Sequence, residues 1–288
     1  MEASSSTAEG AERVPPRTAR PAARASDSPT GGMAAYAAEF IGTLMLVFTV
    51  AMVVIVNSAG GLGVTDFAVL GLVHAFVLML LIHSLGGASG AHFNPAVTIA
   101  LAVGRKIRPA DAAVYIVVQV AGAIAGAFIA KLLLDDEGAA VDYATPSVAD
   151  APDAPAPQPG VPAQPAQGAD WLGGEKLGGM FAEAIGTFFL MWAIMATAVN
   201  PRGSRNWAGF VIGATLGTMV MILGPLTGAS LNPARAYGPG IVAGEGVNAL
   251  TYIVGPVVGA VLAYLLYHAI VLRPEGREPG DRPIDHLD

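Results

Sequence analysis

Two tripeptides in this chain could do chemistry by position alone, Asn94-Pro95-Ala96 and Asn232-Pro233-Ala234. Asparagine is a favoured helix cap, and proline at the first helical position gives up no donor that the helix needs. About ten residues of helical character follow each tripeptide before Gly104 and Gly244 permit a stop. Ten residues rise about 15 Å, half of the roughly 30 Å of a hydrocarbon core. Two such stubs dipping in from opposite faces would meet tip to tip, with their positive ends converging on one point. Ahead of the tips, the stretches from Gly86 to Ala91 and from Gly224 to Gly228 are expected to be extended. Irregular backbone at that depth is tolerated only where protein or a water-filled cavity satisfies it. Lining an aqueous passage would do so, and would turn the exposed carbonyls into a ladder of acceptors. One Asn-Pro-Ala is merely a good helix start. Two copies at matching places, using two of the six asparagines, mean more.

Charged groups lie close to these stubs. Arg235 directly follows the second tripeptide. It could snorkel at an interface, but a charge within an apolar re-entrant segment is a functional candidate. Glu39 and Glu183 fall inside apolar stretches, where an unpaired carboxylate is costly, so each requires donors. A structural role is expected for both, with a proton relay as the alternative. His74 stands twenty residues before Asn94, and taken alone it reads as a packed core histidine. His92 is expected to order the loop ahead of Asn94. His83 and His268 are likewise expected to be structural.

The elements that must position these groups are apolar helices. Of 288 residues, 53% are hydrophobic and only 13% charged, against about 25% charged in an ordinary soluble domain. Six stretches are long enough to cross a bilayer: about 33–57, 64–85, 110–134, 178–199, 207–224 and 248–272. The stubs at 94–103 and 232–242 are too short to cross. With the N-terminus inside, twelve of the fifteen Lys and Arg fall on the inner side, and Lys131 and Lys176 on the outer. Such an excess places both termini in the cytoplasm. Residues 1–32 read as a disordered cytoplasmic tail, without the apolar core of a signal peptide. Residues 135–176, acidic at the start and then rich in Pro and Ala, read as a flexible extracellular insert. Residues 273–288 form a second cytoplasmic tail.

The two halves, 33–134 and 177–272, are related. AEFIGT at 38–43 returns as AEAIGT at 182–187, and GASGAHFNPA is echoed by LTGASLNPA. Three spans per half turn the second copy over, and inverted repeats share a site near the membrane midplane. The fold class is therefore an all-α membrane protein, with six transmembrane helices plus two re-entrant half-helices in an inverted repeat.

In its paired Asn-Pro-Ala, the trailing Arg235 and the repeated AEF/AEA-IGT, the chain resembles the major intrinsic protein family of aquaporins and glycerol facilitators. The likeness covers about residues 33–272, apart from the insert. It implies a pore in each subunit of a homotetramer in the plasma membrane, with the bilayer as surroundings. The amides of Asn94 and Asn232 would then donate to a passing water, interrupting proton hopping, while the helix dipoles repel cations, a property known of aquaporin-type pores. It further implies an outer constriction of His74, Val220, Ala229 and Arg235, and glutamates at 39 and 183 that accept from the re-entrant loops. Glycerol facilitators follow the pore arginine with Asp, whereas Ala236 stands here. Tyr252 suits the water branch, and Ile253 replaces the family's usual Trp. The constriction is most similar to that of plant tonoplast aquaporins. Water is therefore the expected solute, with ammonia, urea or hydrogen peroxide as companions. A glycerol facilitator and a purely structural membrane protein of the same fold are the alternatives.

Other classes find little support. No nucleophile elbow, phosphate loop or metal-ligand spacing occurs, so neither an enzyme nor a cofactor is expected. There is no cysteine for a disulfide or thiolate site. The net charge of −7 comes with no basic face, so no nucleic-acid partner is expected.

Overall fold

A computed structural model describes residues 31–59, 66–148 and 175–272. The tail at 1–30, the Pro-rich tract at 149–174 and the tail at 273–288 lie outside the described residues. Nine α-helices are described. Six carry spans long and apolar enough to cross a membrane. They are α1 (Met33–Ala59), α2 (Phe67–Ser89), α4 (Pro109–Leu133), α6 (Glu175–Ile194), α7 (Ala208–Thr227) and α9 (Gly255–Tyr267). Wider π-type turns lengthen two of them: Met195–Val199 continues α6, while Leu250–Val254 and His268–Leu272 flank α9. Two half-helices, α3 (Pro95–Val103) and α8 (Pro233–Ala243), have Asn94 and Asn232 as caps. The remaining helix is the short α5 (Asp135–Ala139).

Glycines decide how closely the spans pair. A methyl group on Gly122 or Gly126 of α4 would strike the carbonyls of Phe40 or Leu44 on α1. Gly213 and Gly217 of α7 lie against the carbonyls of Ala75 and Gly71 on α2, and Gly255 and Gly259 of α9 against those of Met180 and Ala184 on α6. Each pair is spaced by four, so both glycines share one helical face. In lipid, where apolar burial does not separate helix from tail, such close approach supplies the packing. The large apolar residues that point outward, Leu72, Phe76 and Leu80 on α2 for example, fit a lipid-facing surface. Gly217→Ala is expected to cost about 1–3 kcal/mol, the usual range for overpacking. A lower melting temperature in detergent would register it, and an unchanged one would contradict close contact at this seam.

Two expectations from sequence are corrected. The stretches ahead of the tips are mostly helical: α2 runs through Gly86 to Ser89, and α7 through Gly224 and Pro225 to Thr227. Each ends on a left-handed glycine, Gly90 (φ 87°) or Gly228 (φ 70°), whose N–H donates to the carbonyl four residues back. At membrane depth the chain keeps helical bonds for as long as it can, because no water replaces them. Irregular backbone is confined to 90–93 and 228–231. The start of the insert is also ordered. Residues 135–148 form α5 and a tight turn at Asp142–Ala144, with Tyr143 and Ala144 buried against α1 and its neighbours.

Candidate functional site

The two half-helix tips clasp each other. Asn94 Oδ1 accepts from Ala96 N at 2.9 Å, and Asn232 Oδ1 accepts from Ala234 N at 3.0 Å and Arg235 N at 3.3 Å. Both amide groups then reach across the repeat. Asn94 Nδ2 donates to the Leu231 carbonyl and Asn232 Nδ2 to the Phe93 carbonyl, each at 2.8 Å. An amide nitrogen has two protons. One is used in the clasp, and both residues line the same cavity, which leaves each amide a second proton. Pro95, Ala96, Pro233 and Ala234 are buried in the first turns behind the tips.

Behind each tip stands a carboxylate from the other end of the repeat. Glu39 Oε1 accepts from Ser89 Oγ (2.6 Å) and His92 N (2.9 Å), and Oε2 from Phe93 N (2.7 Å) and Gln119 Nε2 (2.8 Å). Glu183 repeats the pattern with Thr227 Oγ1, Ser230 N and Leu231 N at 2.6, 2.9 and 2.6 Å. Both side chains are fully buried, and neither lines the two cavities that adjoin the tips. Their donors fix backbone that is otherwise costly, since Ala91, Phe93, Ala229 and Leu231 are all left-handed at φ 41–53°. The same segments line the cavity, and the carbonyls of Phe93 and Leu231 accept the amides of the clasp.

Of the other residues supporting the tips, Gly42, Gly186, Tyr115 and Gln119 were not singled out from sequence, and Tyr252 was read only as a mark of the water branch. In AEFIGT and AEAIGT the glycines matter as much as the glutamates: a methyl on Gly42 would run into the Phe93 ring, and one on Gly186 into Leu231. Tyr115 and Tyr252 donate their hydroxyls to the carbonyls of Ser89 and Thr227, both at 2.8 Å. They stand at nearly the same distance from the two tips, 21 residues after Asn94 and 20 after Asn232, which was the available signal. Gln119 has no polar counterpart in the second half, where Pro256 takes the matching place. His92 Nδ1 lies 3.1 Å from Thr98 Oγ1, whose own proton goes to the Asn94 carbonyl, so the ring holds the loop to α3.

Between the halves runs a narrow cavity. It is lined by the apolar side chains of Leu46, Val50, Leu78, Leu190, Ile212 and Leu216 and by the segments Gly90 to Asn94 and Ser230 to Asn232. His74 and Arg235 line this inner cavity and also a second one, where Val220 joins them. Ala229, placed by sequence in the same constriction, is buried in the strained 228–231 segment and lines neither cavity. His74 Nδ1 lies 2.7 Å from the Leu70 carbonyl. A carbonyl only accepts, so Nδ1 carries the proton, and in the neutral form of the ring Nε2, which has no partner, presents a lone pair. Arg235 Nε is likewise buried and unpartnered. Among the described residues the guanidinium has one protein acceptor, the Ala144 carbonyl at 2.8 Å from Nη1. Val141, Asp142 and Ala144 to Ser147 line the second cavity together with His74, Val220 and Arg235. No cluster able to hold a metal occurs among the described residues.

Comparison with known proteins places this geometry. The family model for the major intrinsic protein matches residues 27–267. Aquaporin AqpM of Methanothermobacter thermautotrophicus is 37% identical over 252 residues, covering 80% of this chain and 94% of the relative. Glycerol uptake facilitator protein-like 6 of Lactiplantibacillus plantarum is 34% identical, with 80% and 95% covered, and Nodulin-26 of Glycine max 33%, with 81% and 76% covered. The X-ray structure of the aquaglyceroporin from Plasmodium falciparum superposes with a TM-score of 0.62 at 22% identity, covering 82% of this chain and 96% of that one. At that identity the match speaks for the fold.

Proposed function

Because the chain belongs to the major intrinsic protein family, whose members are passive channels and not enzymes, we propose that its main solute is water. Ammonia, urea and hydrogen peroxide accompany it, and protons and ions are excluded. The observation that carries this reading is the constriction where His74, Val220 and Arg235 meet. It offers one lone pair and one guanidinium to a small polar neutral molecule, and small Val220 leaves it wider than an aromatic side chain would. Further in, the two tip segments and the two amides of the clasp give a hydrogen-bonding stripe among apolar side chains. Water passes such a stripe by exchanging partners at little cost, since bridging waters bond nearly as well as direct contacts.

Glycerol transport is the second reading. The apolar lining suits a polyol that turns its carbon backbone one way and its hydroxyls the other, and one relative bears a glycerol facilitator's name. Stopped-flow measurements on proteoliposomes separate the two. Water permeability well above that of empty vesicles, with glycerol far slower, is the expected result. Glycerol passing as fast as water would overturn the assignment, and no flux of any solute would overturn the channel.

The channel sits in the plasma membrane as a homotetramer with both termini cytoplasmic. Arg105, Lys106, Arg108, Arg202 and Arg205 gather on one side of the spans, and Lys131 and Lys176 fall on the other, which supports this orientation. The exposed apolar faces of the spans are available to lipid and to further copies alike.

A further inference from the structure

The anchor of Arg235 is built in an unusual way. Asp142, Tyr143 and Ala144 are three consecutive non-glycine residues in the left-handed region, at φ 47°, 50° and 71°. Such a run persists only where its surroundings over-determine it. Two things hold it. The Tyr143 ring fills the space above Gly138 and meets Ile55 of α1. Its hydroxyl donates to Asp135 Oδ1 at 2.6 Å, and Lys131 Nζ donates to the same oxygen at 2.8 Å while lying 4.3 Å from the centre of the Tyr143 ring. These bonds hold the Asp135 carboxyl below the usual carboxylate range, that from Lys131 first and that from Tyr143 second. One residue further on, Ala144 presents its carbonyl to Arg235.

We propose that Lys131, Asp135 and Tyr143 form a latch that positions Arg235, keeping the guanidinium on the Ala144 carbonyl and off His74. The reason lies in what the guanidinium would otherwise find. His74 Nε2 is a buried acceptor without a partner, and it lines the same two cavities as Arg235. A guanidinium released from Ala144 swings to that lone pair, and the new bond spans the constriction. The three latch residues therefore tune permeation from outside the passage without touching the solute. None of them lines the inner cavity.

This inference rests on the channel reading, and one experiment separates the two. Full-length parent, Tyr143→Phe, Asp135→Ala and Asp135→Asn are reconstituted in proteoliposomes, and water permeability is normalised to channel content, with melting temperatures measured in parallel. Tyr143→Phe keeps the ring over Gly138 and loses only the hydroxyl. Water permeability per channel is expected to fall about fivefold for Tyr143→Phe and Asp135→Ala, a factor in keeping with one lost positioning bond. Asp135→Asn keeps an oxygen for both donors and retains most of the rate. In a His74→Ala background, where the competing acceptor is gone, the same variants should have no effect. A latch that served stability alone would lower melting temperatures and leave the rate per channel unchanged, which would overturn the proposal. Equal losses with and without His74 would overturn it too. An inert parent would remove the channel reading itself, whereas an active parent with unaffected variants would remove only the latch.

Discussion

Glu39→Ala is expected to abolish water permeability by removing the folded channel, with detergent extracts yielding little protein that melts cooperatively. The substitution strands four buried donors: Ser89 Oγ, His92 N, Phe93 N and Gln119 Nε2. Each costs about 1–3 kcal/mol when left unmade. Together they approach the roughly 5–15 kcal/mol that holds a typical domain folded. Glutamine substitutions give a finer test. At position 39 the amide oxygen can serve Ser89 and His92, but its NH2 then meets two further donors, from Phe93 and Gln119. At position 183 the NH2 meets only Leu231 N. Glu39→Gln should therefore lower the melting temperature more than Glu183→Gln. Adding Gln119→Leu should recover part of the Glu39→Gln loss, although it removes the bonds to Glu39 and Thr98 in the parent. Wild-type melting and permeability in Glu39→Ala would show that the re-entrant segments hold their shape without the carboxylate.

What could be read from sequence follows from how local each cause is. Asn94 and Asn232 announce their helices because cap, proline and a stop are all within a dozen residues. Glu39 and Glu183 were legible because a carboxylate in an apolar span needs donors wherever they come from. Gly86, Gly224 and Pro225 were misread as breakers of α2 and α7. In water a glycine or a proline helps to end a helix by leaving its neighbours free to bond solvent. Inside the spans no solvent competes, and the helices continue to Ser89 and Thr227. The order in residues 135–148 was hidden for the opposite reason. Composition joins them to the Pro-rich tract that follows, while their structure depends on Tyr143 meeting Gly138 and Ile55, contacts that no window along the chain contains. Gly42 and Gly186 repeat visibly, but their purpose appears only when Phe93 and Leu231 arrive from another helix.

Asn232→Asp is expected to leave the channel folded and to make it leak cations. The new carboxylate keeps the cap, since one oxygen still accepts from Ala234 N and Arg235 N. A negative charge at a helix N-terminus is itself favourable by about 0.3–1 kcal/mol. Against this, the bond to the Phe93 carbonyl becomes a contact between two acceptors at a separation that is now 2.8 Å. The two effects nearly offset, so the melting temperature should move little. Permeation should change far more. Each half-helix presents roughly half a positive charge at the tip, and the two together repel a cation about as strongly as one full charge. One carboxylate at that point cancels them. At about 4 Å and an effective dielectric of about 20, a unit charge is worth roughly 4 kcal/mol, which is about a thousandfold in a rate. Arg235 stays in place as a second barrier at the constriction, so the single variant should show only part of this, and adding Arg235→Ala should raise the leak further. Proton and sodium flux into vesicles under an imposed potential, followed beside water permeability, would measure it. If cation flux stayed at the parent's level in both variants while water still passed, the opposed helix ends would not be the barrier, and the constriction or the apolar lining would have to supply it.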